Sequence, residues 1–161
     1  MEFDDLEYDH DDGRVEAHMF IHNVFSTQGQ RDVLPAERMD DLYAVIREVL
    51  ADLGADPEAI GGTANHVHIV ASQPVDRSVD EIVVKVKSES AKWLRASFES
   101  MRDFSWQESY GSFSLSPEDL GVGAEFVRDQ AEHHEIISFQ DEFRALLREH
   151  DIPFDENEVW E

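Results

Sequence analysis

The sequence contains no cysteine, which excludes disulfide bonds, thiolate metal ligands and a cysteine nucleophile. It also has no run that approaches the ~20 apolar residues of a membrane-spanning helix. The N-terminus is acidic, whereas a secretory signal begins with basic residues. We therefore expect a cytoplasmic protein that makes no contact with a membrane.

Positive charge is scarce as well. The sequence has 37 acidic residues against 13 lysines and arginines, which gives a net charge of -24. Three explanations are open: a salt-rich cytoplasm, an acidic interaction protein, or disordered acidic tails. Salt at about 1 M shortens the Debye length to about 3 Å and so screens the repulsion among the acids. Scarce lysine and an apolar fraction of 41% favour the first explanation, so we predict a halophilic protein.

The length of 161 residues fits one domain with a substantial hydrophobic core. Residues 1–16 carry eight acids and one arginine, and this composition predicts a loosely ordered lead-in. Residues 17–161 are then expected to form the single folded domain.

Hydrophobic periodicity and capping signals divide residues 17–161 into strands and helices. The predicted elements are a strand at 17–25, a helix from Pro35 to Gly54, a strand ending near Gly61 and Gly62, a strand around His66, a helix capped by Ser78 with Glu81, a strand at 110–115, a helix from Ser116 to about His134, and a helix from about Phe139 to His150. This order predicts an α+β fold, in which an antiparallel sheet of ferredoxin-like order carries helices packed on it.

Two histidines, His66 and His68, stand in a run whose β-branched residues favour a strand. Side chains alternate along a strand, so both imidazoles point to the same face of the sheet. Such a pair can hold one divalent ion if a third ligand comes from elsewhere in the chain. The alternative is a pair of half-exposed strand histidines that bind nothing.

Basic residues are concentrated in the helix that follows. Residues 84–95 carry four positive charges and one negative charge, from Glu89, for a net charge of +3. The four basic residues are Lys85, Lys87, Lys92 and Arg95. They predict either a DNA-facing strip, because phosphate contacts dominate affinity for nucleic acids, or a helix whose polar face is basic by chance.

Several other residues allow two interpretations. Trp93, Trp106 and Phe113 are able to stack on unpaired bases, but we expect them to be core aromatics. His133 and His134 are expected to be surface residues rather than metal ligands. The chain has three tyrosines, at positions 8, 43 and 110.

These motifs, in this order, resemble the single-tyrosine HUH transposases of the insertion-sequence 200/605 group, including their repeat-associated relatives. The resemblance covers roughly residues 17–161. It rests on the segments 22–27, 65–68, 84–92, 109–114, 126–134 and 138–142, together with Trp106 and the terminal pair Val159 and Trp160.

The resemblance implies an HUH transposase fold and a homodimer that cuts and rejoins single-stranded DNA beside hairpins. In that family two histidines and a glutamine hold Mg²⁺ or Mn²⁺, which correspond here to His66, His68 and Gln130. A metal ion polarises phosphoryl oxygens, and a covalent intermediate divides a difficult transfer into two easier steps.

The position of the family's nucleophile departs from the pattern. The family places a tyrosine four residues before the glutamine, where this sequence has Phe126. Phenylalanine has no hydroxyl and is not a nucleophile, so the resemblance implies impaired cleavage. Three functions stay open: an active transposase, a cleavage-deficient protein that still binds hairpin DNA, and an acidic interaction protein on an inherited scaffold.

Overall fold

The computed structural model describes residues 19–161. The predicted lead-in at residues 1–16 and its Tyr8 lie outside the described residues. The strands are β1 (Phe20–Ser26), β2 (Pro57–Thr63), β3 (His66–Ser72) and β4 (Gly111–Leu115). The α-helices are α1 (Met39–Asp52), α2 (Val79–Ser97), α3 (Leu120–Arg128), α4 (Gln130–His133) and α5 (Phe139–Glu149). Short 3-10 turns lie at Gln28–Gln30, Ala36–Arg38 and Glu99–Met101.

The four strands form one antiparallel sheet in the order β2-β3-β1-β4. With α1 after β1 and α2 after β3, this is the ferredoxin-like arrangement, so the predicted α+β fold is confirmed. β3 is a central strand, and its neighbour β1 pairs Val24 with His68 and Ser26 with His66. The histidine pair therefore lies in a strand that is hydrogen-bonded to a neighbour on both sides.

The two faces of the sheet differ in chemistry. On one face Val67, Ile69 and Ala71 of β3 pack with α1 and α2 in a largely apolar layer. On the other face Val70 packs with Ala124 and Val127 of α3. The remaining strand residues of that second face include the two histidines, because side chains alternate along β3.

α5 and the C-terminal residues cover the far end of the second face. Ser138 caps α5 by accepting a hydrogen bond from the backbone N–H of Asp141 at 3.2 Å. Phe139 and Phe143 pack beneath the helix, and the ring of Trp160 lies 5.9 Å from that of Phe143. These contacts fix the orientation of α5 against the sheet.

The structure corrects one predicted helix. Residues 116–134 were expected to form a single helix, but α3 begins only at Leu120 and ends at Arg128. Asp129 has φ −92° and ψ 19°, which are not helical angles, and α4 begins at Gln130. Aspartate is a weak helix former, which favours a break in the helix at this point.

The other element predictions are confirmed with small shifts. α1 begins at Met39 after a 3-10 turn, and Gly54 ends it with φ +81°. The hydroxyl of Ser78 accepts from the backbone N–H of Glu81 at 3.0 Å, as the capping signal predicted. Trp106 and Phe113 are 6% and 3% exposed, so both are core residues. Within the described residues, no helix is long and apolar enough to cross a membrane.

Gly61 of β2 sets the distance between α3 and the sheet. A Cβ atom at this position would lie 1.8 Å from the carbonyl oxygen of Val127, so Gly61→Ala forces α3 away from β2. We expect a loss of stability on the order of 3 kcal/mol, at the upper end of the usual overpacking range. Urea unfolding measures it.

The matched control for Gly61→Ala is Gly121→Ala, in α3 itself. A Cβ at Gly121 meets nothing within 4 Å, and alanine is the better helix former by about 1 kcal/mol. The control is therefore expected to unfold at the same or higher urea concentration. Equal midpoints for the two variants would show that α3 does not depend on this close approach.

Candidate functional site

His66 and His68 lie fully buried on the second face of the sheet. Each has an exposed fraction of 0%, and their ring centroids are 5.0 Å apart. The alternative of two half-exposed histidines is therefore wrong. Two imidazoles buried on one face of a central strand need polar partners, and α4 and α5 supply them.

Gln130 is the first residue of α4 and is also fully buried. Its Oε1 atom lies 2.8 Å from Nε2 of His66 and 2.9 Å from Nε2 of His134. Gln130 directly follows the break at Asp129, and its side chain contacts the histidines. The structure thus brings together the three residues that the resemblance assigns to a metal.

Glu142 of α5 reaches the same cluster and was not predicted from the sequence. Its carboxylate is 3% exposed, and its Oε1 lies 2.6 Å from Nε2 of His68 and 3.8 Å from Nε2 of His66. Its Oε2 is buried without a hydrogen-bond partner, 3.0 Å from Nε2 of both His133 and His134. A buried carboxylate oxygen without a partner needs an explanation.

His22 of β1 was likewise missed as a site residue. Its Nε2 atom lies 2.7 Å from Nδ1 of His68, and it is 5% exposed. In the sheet His22 stands opposite Val70 of β3, so it points to the same face as His66 and His68. Alternation along β1 places His22 on the same face as Val24. That face could be matched to the face of His66 and His68 only once the pairing of β1 with β3 was known.

The prediction for His133 and His134 needs correction. His134 has only 10% of its side chain exposed, and His133 33%. Nδ1 of His134 lies 2.6 Å from the carbonyl oxygen of Ile137, which turns Nε2 towards Gln130 and Glu142. The short helix α4 ends at His133, and His134 follows it with Nε2 facing the cluster.

Ligand atoms from His66, His68, His134 and Glu142 all lie within 4.8 Å of one another. Burial lowers the pKa of His66 and His68 to about 3, and the pKa of His22 also falls to about 3 for the same reason. These imidazoles are therefore neutral at pH 7, which is the form that binds metals. The cluster is a candidate metal site.

Phe126 of α3 contributes its ring to the edge of this cluster. Its centroid lies 5.7 Å from that of His68 and 5.1 Å from that of His133. It stands one helical turn before Gln130, whose Nε2 donates to the Phe126 carbonyl at 3.3 Å. Tyr43 and Tyr110 pack in the apolar layer on the opposite face of the sheet and do not reach the histidines.

The structure does not bring the four basic residues of α2 to the histidines, because α2 packs on the opposite face of the sheet. Lys87 donates to the carbonyl oxygens of Gln107, Glu108 and Ser109, and its burial lowers its pKa. Arg95 donates to a carbonyl oxygen in the same loop, that of Phe104. The side chains of Lys87 and Arg95 therefore stabilise the loop that precedes β4.

The other two basic residues stand free of the core. Lys85 and Lys92 are 56% and 65% exposed, and each pairs with Glu89, at 3.3 Å and 3.4 Å respectively. Exposed ion pairs of this kind contribute little to stability, so both ammonium groups are available to another partner.

A protein-family model described as "Transposase IS200 like" matches residues 16–130, which is more than half of the chain. The chain belongs to the IS200-like transposase family. The matched residues include His66 and His68 and end at Gln130. His134 and Glu142, the two further members of the cluster in this IS200-like transposase, lie beyond the match. No curated protein matches the sequence.

Two solved structures resemble this member of the IS200-like transposase family. A protein from Deinococcus radiodurans R1, provisionally named a transposase, aligns with a TM-score of 0.58 and 18% identity over 72% of this chain and 93% of its own. A REP-associated tyrosine transposase bound to a REP hairpin aligns with a TM-score of 0.58 and 13% identity over 77% of this chain and 73% of its own. At these identities the likeness shows a shared fold.

Proposed function

We propose that this protein binds single-stranded or hairpin DNA as a transposase-like protein whose strand cleavage is impaired. The observation that carries the proposal is the position of Phe126, whose ring lies against the histidine cluster one turn before Gln130. A tyrosine there would place its hydroxyl at the cluster. Phenylalanine keeps the packing and lacks the nucleophile.

The residues proposed to hold a divalent ion are His66, His68 and Gln130, with Mg²⁺ or Mn²⁺ as the ions that the family implies. When bound, such an ion polarises phosphoryl oxygens and neutralises charge on the phosphate. The role of the protein is to hold the ligands in place. His22 contacts Nδ1 of His68, and Asn65 contacts Nδ1 of His66 at 2.8 Å. Phe126 offers no atom that attacks phosphorus.

DNA is the proposed partner because the chain belongs to a transposase family and because one solved relative of the same fold carries a REP hairpin. The proposed contacts remain Lys85, Lys87, Lys92 and Arg95. Among these, Lys85 and Lys92 have the exposed ammonium groups for phosphate, whereas Lys87 and Arg95 shape the adjoining loop. A DNA partner is in keeping with the cytoplasmic location expected from the sequence. On the resemblance alone, we further propose a homodimer.

A gel shift with hairpin and single-stranded DNA, with and without Mn²⁺, tests the proposal. We expect retarded DNA whose amount falls as salt rises, because each phosphate contact releases counterions. Lys85→Gln/Lys92→Gln removes two such contacts and is expected to lower the slope of log affinity against log salt by roughly 1.5.

The control for the gel shift is Arg38→Gln/Arg102→Gln. Like the test variant, it removes two positive charges from exposed side chains. Each of the two arginines pairs with an acidic residue three positions away. It is expected to leave the salt slope near that of the native protein. A native protein that retards neither DNA at any salt concentration would favour the third function, an acidic interaction protein.

A further inference from the structure

We propose that Glu142 and His134 are ligands of the same ion as His66 and His68, so that the chain itself closes the coordination sphere. The inference rests on the metal site of the proposed function and extends it by two residues, Glu142 of α5 and His134 of the connection between α4 and α5. It also changes the ion that the site prefers.

The first observation is the carboxylate of Glu142. It is 3% exposed, and one of its oxygens is buried without a hydrogen-bond partner. Burying a charged group is unfavourable unless the group is paired or coordinates a metal. No lysine or arginine makes an ion pair with Glu142 in the described residues; the basic side chains within 4 Å of its carboxylate are histidines. A divalent ion supplies the missing positive charge.

The second observation is the orientation of the three imidazoles. His66, His68 and His134 all turn Nε2 towards Glu142, at 3.8, 2.6 and 3.0 Å from its oxygens. The outer nitrogen of each ring already has a partner: Nδ1 contacts Asn65, His22 and the Ile137 carbonyl, respectively. Metal-binding histidines are held in this way, with the second ring nitrogen fixed by an outer hydrogen bond.

The third observation is the size of the cluster. An ion bound at about 2.0–2.2 Å keeps opposite ligand atoms no more than about 4.4 Å apart. The four candidate ligand atoms already lie within 4.8 Å of one another. Small side-chain rotations therefore suffice to close the cluster on an ion.

The donor set determines the ion. Three imidazole nitrogens, one carboxylate and the amide oxygen of Gln130 suit Zn²⁺ and, more weakly, Mn²⁺, whereas Mg²⁺ favours a set made of oxygen ligands alone and retains water. His66 and His68 are 0% exposed and Glu142 is 3% exposed, so an ion among them would be shielded from the solvent, whereas Mg²⁺ keeps several water molecules. We therefore infer that the site binds Zn²⁺ most tightly, Mn²⁺ less tightly, and Mg²⁺ least.

Calorimetry and thermal unfolding of the full chain with each ion alone test the inference. We expect Zn²⁺ and Mn²⁺ to raise the unfolding temperature of the native protein and Mg²⁺ at the same concentration to leave it unchanged. Glu142→Gln keeps the shape of the side chain and removes its charge, so affinity for Zn²⁺ and Mn²⁺ should fall at least tenfold. Glu149→Gln, the same change at an exposed position of α5, should bind as the native protein does.

Circular dichroism of the ion-free Glu142→Gln protein shows whether it folds. If it does not, His134→Gln is the test variant, with exposed His150→Gln as its control, and the same tenfold loss is expected. Native affinity in a folded Glu142→Gln or His134→Gln protein would overturn the inference, as would equal binding of Mg²⁺ and Zn²⁺. The proposed function would still stand in that case, provided that His66→Ala/His68→Ala abolishes binding.

Discussion

Incubated with single-stranded DNA and Mn²⁺, the native protein should form no covalent adduct, while the Phe126→Tyr protein should form one. The substitution places a phenol against His68 and His133, in the position that the tyrosine nucleophile of the family would occupy. Phe126 is only partly buried, so the added oxygen should cost less than about 1.5 kcal/mol. Denaturing gels with labelled DNA detect the adduct directly.

The adduct is expected to form slowly. An ion held by His66, His68, Gln130, His134 and Glu142 would leave few coordination positions open to the DNA phosphate. Phe98→Tyr is the matched control, because it makes the same chemical change on the apolar face of the sheet. An adduct with the native protein would mean that the nucleophile lies elsewhere in the chain.

Replacing both strand histidines with alanine should abolish binding of Mn²⁺. His66→Ala/His68→Ala removes two inward-facing nitrogen atoms and leaves Gln130 and Glu142 without their central partners. The apo protein should also lose stability by about 2–5 kcal/mol, because two buried rings leave cavities behind. Calorimetry with Mn²⁺ gives the first result and urea unfolding the second.

The control for the histidine pair is His150→Ala, at the exposed end of α5. It removes an imidazole that packs on the ring of Phe113 and is not a candidate ligand, so it is expected to keep native Mn²⁺ binding. Identical weak binding in the double variant and the native protein would place the ion, if any, outside this site.

Local sequence signals were sufficient for the strands and for the shared face of His66 and His68. Alternation along β3 depends only on the chain near it, and the cap at Ser78 depends on a residue three positions away. The four-residue spacing of Phe126 and Gln130 likewise predicted that the two residues lie close together. Gln130 donates to the Phe126 carbonyl, although a helix break separates them.

The remaining site residues depend on packing between distant elements. Glu142 is one of 37 acidic residues in the sequence and lies in an amphipathic helix, so nothing near it in the sequence distinguishes it. It is buried only because α5 packs against the sheet. His134 turns Nε2 towards Gln130 and Glu142, and its spacing in the sequence does not predict these contacts with α4 and α5. The basic residues of α2 were predicted to contact DNA, but the sequence did not show which face of the sheet α2 covers.

The sequence separations within the cluster also determine when it forms during synthesis. His22 and His68 are 46 residues apart, and a further 74 residues separate His68 from Glu142. At 5–20 residues per second, α5 leaves the ribosome about 4–15 s after β3. Through that interval the sheet carries its imidazoles on a face that α5 has yet to cover. Ions of the surrounding solution therefore meet two histidines before they meet the carboxylate.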